Sequence, residues 1–471
     1  MPKSRGDRSR KDARATGAGQ AGEDETQVPG PGLTGSYLIL LAEGRDEMRA
    51  GAEALRSVAG LKVAHSRDFQ RKPIMSAFEE ADTIIFDELG VAVSDTPPDQ
   101  VQALSGVESA SGILAVEPER VVYALNDAPR IPTVLPAIPT LPAGVSEAWS
   151  ADYLRGYREA VNQLIGRLLN EAADGLAELV TEPTPALNEA ELTWGLQVTR
   201  AGFSRQTGAG IRVAVLDTGM DLQHLDFATR AIQSQSFVPG QTVQDGHGHG
   251  THCIGTSCGP TAPQRLPRYG VATSADIFAG KVLSNQGSGT DRGILAGIQW
   301  AIVNRCAVVS MSLGAPTQIG TPPSVVFDQV GQRALRAGTL IVAAAGNDSN
   351  RPSLINPVSH PANCPSIMAV AAIDQQLRVA RFSNAGLNPQ GGQVDIAAPG
   401  VAVHSSWPRP VLYNRISGTS MATPHVAGIA AQLAEANPTV RGAALWALLV
   451  QTARRLPLPA RDVGAGLVQA P

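Results

Sequence analysis

Long apolar runs, paired cysteines and basic tracts are all missing from this sequence of 471 residues, and each absence closes a route. No apolar stretch approaches the roughly 18 to 20 residues that span a bilayer, so a membrane-embedded state is not expected. Four cysteines, Cys253, Cys258, Cys306 and Cys364, are too sparse and irregular for a disulfide framework or a zinc ribbon. They read as free thiols in a reducing compartment. A net charge of -4, with no long run of Lys or Arg, offers nothing to attract nucleic acid. The first thirty residues carry charge throughout and have no apolar centre of the kind a Sec signal needs. The protein is therefore expected to be cytoplasmic, with non-Sec export the other route.

What is present is a chain 43% hydrophobic and 17% charged, enough for two or three domains with a substantial core. Residues 1–33 are rich in Gly, Arg, Asp and Glu without hydrophobic period, and are expected to form a disordered arm. Residues 34–127 alternate as a small α+β, ferredoxin-like domain: a strand at Tyr37–Ala42, a helix over "RDEMRAGAEALRSV", and strands at Leu61–Ala64 and Thr83–Val93. A helix after "TPPDQVQAL" and strands at "GILAVE" and "RVVYAL" complete it. Residues 128–190 hold a proline-rich linker and an amphipathic segment with Leu154, Tyr157, Val161, Leu164, Leu168 and Ala172 on one helical face. That face reads as docked on a neighbouring domain. Residues 191–471 alternate apolar strands with small-residue helices, the pattern of a doubly wound, mainly parallel α/β sheet.

Three apolar runs in this last region end on polar groups: "IRVAVLD" at Asp217, "CAVVSMSLG" at Ser312–Gly314 and "TLIVAAAGN" at Asn347. In such sheets the carboxyl ends of the strands line one crevice, which makes that rim the expected active site. The stretch "ISGTSMATPHVAG" adds Ser420 at the mouth of a helix, with Pro424 expected in the first turn, where no hydrogen-bonded N–H is lost. Free N–H groups and the helix dipole favour developing negative charge there. A serine needs a base, and "DGHGHGTHCIGTSCG" offers His247, His249 and His252.

Together "VLDTG", "GHGTHCIGT", "AAAGN" and "GTSMATPHVAG", in that order, resemble the subtilisin-type serine proteases, and "DGHGHGTHC" is similar to the proteinase K branch. The order Asp, His, Ser is the one subtilisin itself exemplifies. The resemblance implies a serine endopeptidase in which Ser420 attacks a peptide carbonyl, His249 takes and returns the proton, and Asp217 orients the imidazole. It assigns the oxyanion to the Asn347 amide and the Ser420 backbone N–H. It also implies that a polypeptide substrate adds as an extended strand between Gly287–Ser288–Gly289 and Ser312–Leu313–Gly314, beside a roomy apolar pocket at Ala343–Ala345, with Ala344 and Gly346 among the substrate-binding residues. A large hydrophobic side chain is expected before the cut bond.

The region Ser36–Leu125 resembles the inhibitory prodomains of these proteases. It implies a self-processing zymogen whose own N-terminal domain is an intramolecular inhibitor, cut between about Asn126 and Leu192. No cofactor is required. A structural calcium on Asp395, with carbonyls of the "NCPSI" segment, is the one metal the resemblance suggests, whereas the Asn-rich calcium loop of bacterial subtilisins is missing.

Other readings of the same residues stay open. His247, His249 and His252 form an H-x-H-x-x-H array that would suit a zinc hydrolase, although Thr251 stands where a metal-binding aspartate is usual. "DTG" also occurs in aspartic proteases, but no second copy exists here to supply a second carboxylate. An inactive, peptide-binding relative is the remaining alternative. His252 and His425 read as buried structural histidines, and Cys253 as a packed thiol rather than a nucleophile.

Overall fold

The structure, a computed structural model, describes residues 32–57, 59–69, 81–95, 112–125 and 187–471. The arm up to residue 31, the helix after "TPPDQVQAL", the proline-rich linker and the amphipathic segment lie outside the described residues.

The N-terminal domain contains β1 (Leu33–Leu41), α1 (Arg45–Ser57), β2 (Val63–His65), β3 (Thr83–Phe86), β4 (Val91–Ser94) and β5 (Ile113–Ala124), with its strands in the order β5-β1-β4-β3-β2. Successive side chains of a strand point to opposite faces. Ile39, Leu41, Ile85, Ala92 and Ile113 accordingly meet Ala52, Ala54 and Leu55 of α1 on one side. Leu38, Leu40, Phe86, Val91 and Val93 fall on the other side and join the core of the C-terminal domain. Two expectations are corrected here. The single strand expected at Thr83–Val93 is a hairpin, β3 and β4, broken by a turn at 87–90. Both halves are apolar, so the run conceals its break, which lies at Gly90 (φ +57°), where the Arg333 guanidinium occupies the space a Cβ would need. The two strands expected at "GILAVE" and "RVVYAL" are one, β5.

The C-terminal domain continues with α2 (Trp194–Val198), β6 (Arg212–Asp217), β7 (Ile232–Ser236), α3 (His249–Cys258), β8 (Asp276–Lys281), β9 (Ser288–Thr290) and α4 (Asp291–Val303). There follow β10 (Val308–Met311), β11 (Leu313–Gly314), α5 (Val325–Arg336), β12 (Leu340–Ala344), β13 (Met368–Ile373), β14 (Ile396–Pro399) and α6 (Thr419–Ala436). Seven strands form one sheet in the order β14-β13-β12-β10-β6-β8-β7, every pair parallel. Helices cover both faces, so the central strands are apolar at nearly every position. The strand order puts β6, β10 and β12 side by side, and their carboxyl ends share one rim. Helix α6 packs against β10, β12 and β13, and against α3. It must be slim there, because a Cβ on Gly428 would strike the Val271 side chain and the Ser257 carbonyl.

One strand belongs to both domains. Besides pairing with β1, β5 runs antiparallel to β9 on one side and β11 on the other. Arg333 of α5 fastens the same interface, with Nε on Glu43 at 3.0 Å, Nη2 on the Leu41 carbonyl at 2.8 Å and Nη1 on the Leu89 carbonyl.

Candidate active site

Strand β6 ends on Asp217, fully buried, with Oδ1 accepting the Thr218 N–H at 2.7 Å. The same oxygen lies 2.7 Å from His249 Nδ1, which places the proton-bearing nitrogen of the ring toward the carboxylate and turns Nε2 away. Burial by itself would lower the His249 pKa, but the Asp217 charge, with Cys253 adding to it, raises it well above the ordinary imidazole value. His249 opens α3, and the turn before it is held by a residue the sequence reading missed. Asp245 Oδ1 accepts from Thr218 Oγ1 at 2.9 Å, His247 N at 2.9 Å and Gly248 N at 2.8 Å, while Oδ2 accepts from Thr251 N at 2.8 Å and Oγ1 at 2.7 Å. One of these donors, the Thr251 N–H, is among those a helix start leaves unpaired, and the His247 and Gly248 N–H groups belong to the turn that leads into it. Burial raises the Asp245 pKa, yet the N–H groups of Gly248 and Thr251 outweigh it and leave the carboxyl below its usual value. Gly248, at φ +109°, admits no side chain, since a Cβ would meet the Trp407 ring.

Ser420 lies in the first turn of α6, after Gly418. Its hydroxyl donates to the Ser312 carbonyl at 3.0 Å, and His249 Nε2 is buried with no hydrogen-bond partner. The Ser-His contact is thus not made in this rotamer, although α3 and α6 pack together and Cys253 Sγ reaches both His249 Nδ1, at 3.9 Å, and the Ser420 carbonyl, at 3.5 Å. Pro424 does not stand in the first turn as expected. It lies one turn further on, and because it lacks an N–H, the Ser420 carbonyl four residues earlier loses its helical donor. The Ser312 hydroxyl donates to that carbonyl at 2.8 Å, tying Ser420 to the end of β10.

The Asn347 side chain is oriented at both ends. Its Oδ1 accepts from Thr419 N and Oγ1, both at 2.9 Å, so its NH2 faces outward, where Nδ2 donates to the Leu125 carbonyl at 3.0 Å. Leu125 directly follows β5, and the strand pairs on both sides in a fixed register. Tyr123, Val122 and Val121 sit opposite Ser288, Gly289 and Thr290, while Ala124 and Tyr123 sit opposite Leu313 and Gly314. The Ala124 N–H adds a bond to the Gly287 carbonyl at 2.8 Å. Leu125 is 3% exposed, with its side chain beside Gly314. A peptide carbonyl thus rests on an amide donor at the rim that holds the serine, the imidazole and the carboxylate.

Of the remaining expected residues, Ala344 ends β12 opposite Val370, and Gly346 donates its N–H to Thr419 Oγ1 at 3.1 Å. The three histidines of the H-x-H-x-x-H array do not converge. His252 Nε2 lies 3.0 Å from the Val403 carbonyl, with burial taking its pKa down to about 3. Among the described residues the only cluster of three ligand-type side chains is Asp217, His249 and Cys253, and burial pushes that thiol up to about 11. His425, on the Met421 carbonyl at 2.8 Å and lowered to about 4 by burial, is likewise part of the packing.

A model of the Subtilase family matches residues 208–466. Subtilisin E of Bacillus subtilis (strain 168) is 40% identical over 252 residues, a match that spans 53% of this chain and 62% of that protein. Subtilisin Savinase of Lederbergia lenta is 40% identical over 281 residues, covering 59% of this chain and 96% of the other. Among solved structures, Sphericase superposes with a TM-score of 0.52 at 30% identity, over 60% of this chain and 99% of its own.

Proposed function

Because this chain belongs to the subtilase family of subtilisin-like serine endopeptidases, we propose that it hydrolyses peptide bonds through Asp217, His249 and Ser420, with Asn347 as oxyanion donor, and that it is made as a self-processing zymogen. Rotation about the Cα–Cβ bond of Ser420 carries Oγ from the Ser312 carbonyl to the unpartnered His249 Nε2. Oγ then attacks the carbonyl carbon while Nε2 accepts its proton, and Asp217 stabilises the imidazolium. Charge developing on the carbonyl oxygen is received by Asn347 Nδ2. The imidazolium returns the proton to the leaving nitrogen, releasing the amine and leaving an acyl-serine. Water, deprotonated by the same imidazole, then hydrolyses the ester.

The observation that carries this reading is the seat of Leu125: its carbonyl on Asn347 Nδ2 at 3.0 Å, and the preceding strand held between β9 and β11 as an extended substrate would be. It supports the N-terminal domain as an intramolecular inhibitor. It also moves the expected processing point to the Leu125–Asn126 bond, at the very start of the interval expected from sequence. Leu125 is itself the large hydrophobic residue expected before the cut. Four buried, unpaired cysteines are compatible with a reducing, cytoplasmic setting. Among the described residues no helix is long and apolar enough to cross a membrane.

The scheme needs no metal. Asp395 brings one carboxylate, whose Oδ2 already accepts the Ala369 N–H at 2.7 Å, so a calcium there would draw its other oxygens from backbone carbonyls such as those of the "NCPSI" segment. Mass spectrometry of the expressed chain tests the proposal. Wild type is expected to yield a fragment beginning at Asn126, with a fluorophosphonate probe on Ser420, while Ser420→Ala stays intact and unlabelled. Chelator-sensitive hydrolysis without labelling would favour the zinc alternative, and an intact, unlabelled wild-type chain the inactive relative.

A further inference from the structure

The structure assigns a recognition site for a basic residue six positions upstream of the cut bond, built on the carboxylate of Asp291; this deepens the protease reading above and rests on it. Counting back from Leu125, the sixth residue is Arg120. Its backbone N–H donates to Asp291 Oδ2 at 3.0 Å, and its guanidinium lies between two carboxylates, Nη1 at 3.5 Å from both Asp291 Oδ2 and Glu117 Oε2, and Nη2 at 3.4 Å from Glu117 Oε2, a residue of its own strand that the test peptides lack. The other oxygen, Oδ1, is 3.1 Å from His360 Nε2, and the His360 ring stands edge-on to Phe327 with centroids 4.7 Å apart. The imidazole therefore fixes the carboxylate so that Oδ2 faces β5.

An acidic residue in the first turn of a helix such as α4 is ordinarily explained by the helix dipole alone. That explanation needs neither a buried imidazole partner nor an aim toward the neighbouring strand. Asp291 has both, and is fully buried with β5 in place. The Asp291–His360 pair also links the two walls of the cleft. Asp291 directly follows β9, and His360 is bridged to Ala315, the residue after β11. Any extended peptide that keeps the register of β5 past its fifth residue carries its sixth to this carboxylate. The N–H contact accepts any residue except proline, whereas the side-chain contact selects a cation. The neighbouring positions of β5 follow another logic: Glu117 accepts from Ser324 Oγ and Val325 N, both at 2.6 Å at the start of α5, and Glu119 accepts the Arg292 N–H at 2.9 Å.

The test uses the processed enzyme and acetylated coumarin-amide peptides Xaa-Val-Val-Tyr-Ala-Leu, with Arg, Gln or Glu as Xaa, beside the pentapeptide lacking Xaa. Arg120 is 27% exposed in its side chain, so the expected preference is modest: kcat/KM about three- to tenfold higher for Arg than for Gln, with Glu lowest. In Asp291→Asn the Arg/Gln ratio is expected to fall to about one, and in Asp291→Glu to persist in part, with the pentapeptide reporting whether each variant is a working enzyme. In wild type alone, the ratio should shrink as salt screens the pair. Equal rates for Arg and Gln in wild type, or a ratio unmoved by both salt and Asp291→Asn, overturn the assignment while leaving the protease reading intact. Failure to cut any of the peptides would remove the protease reading and this site with it.

Discussion

Asp245 offers the most exacting perturbation, because five hydrogen bonds converge on one buried carboxylate. In Asp245→Asn one oxygen becomes an NH2 group. Pointed at Gly248 and His247, it would oppose two backbone donors; pointed at Thr251, it opposes one, and the threonine hydroxyl can turn to accept. The amide therefore settles toward Thr251. One buried N–H left unpaired costs about 1–3 kcal/mol, and exchanging a charged acceptor for a neutral one weakens the three bonds at the other end by about 1 kcal/mol each. Relief of the buried charge offsets part of this, leaving a net loss of about 2–4 kcal/mol. In a domain of this size that is about 4–8 °C in unfolding midpoint. The assay is thermal unfolding in a Ser420→Ala background, which blocks autolysis. The pH dependence has a definite sign. A carboxyl lowered below 3.8 contributes stability that is full above that value and is lost as pH falls through its folded pKa. The gap between parent and variant should thus be widest at neutral pH and close in acid. A midpoint within 1 °C of the parent at pH 7, or a gap that does not narrow as pH falls below 3.8, would refute the reasoning.

Other outcomes follow from the same geometry. Asn347→Ala should cut kcat far more than it raises KM; subtilisin itself supplies the reference value, about 10²–10³ for loss of this donor, and an equal effect on both substrate affinity and turnover would count against the role. The raised pKa of His249 means that its neutral, base-competent form accumulates only above the ordinary imidazole range. kcat/KM should therefore climb through a pKa above 6.5, and a midpoint below that in steady-state kinetics contradicts the Asp217 contact. Asp395 is pushed up to about 7 by desolvation against a single N–H from Ala369, so its charge destabilises the fold as pH rises from its unfolded value toward that point. Asp395→Asn in chelator should raise the unfolding midpoint at pH 8.5 and hardly change it at pH 4, and the reverse order would exclude the assigned cause.

Much of this site could be read from the chain because parallel strands are apolar until they stop, which made Asp217 and Asn347 stand out. The glycine-rich histidine block and the helix after Ser420 were legible for a similar reason: small residues mark where backbones approach. Asp245 carried a weaker signal, an acid four residues before a helix start, hidden beside the three histidines. What local pattern could not reveal depends on partners far along the chain. The loss of an N–H at Pro424 gains meaning only when Ser312 arrives to claim the freed carbonyl, and Arg120 looks like any surface arginine until Asp291 is beside it. The hairpin at 87–90 was concealed by the same rule that exposed β6 and β12, since two short apolar strands and their turn read as one run.

On the zymogen proposal, the shared strand also determines the fate of the N-terminal domain once it is cut away. Attached, its apolar face of Leu38, Leu40, Phe86, Val91 and Val93 is shielded by the enzyme's helices. Once severed at Leu125 and diluted, the fragment confronts water with half of its greasy interior, so that departure and unravelling become a single event. An unravelled chain is a better substrate than a folded one, and on this reading activation behaves as a ratchet: each liberated inhibitor is digested before it can return.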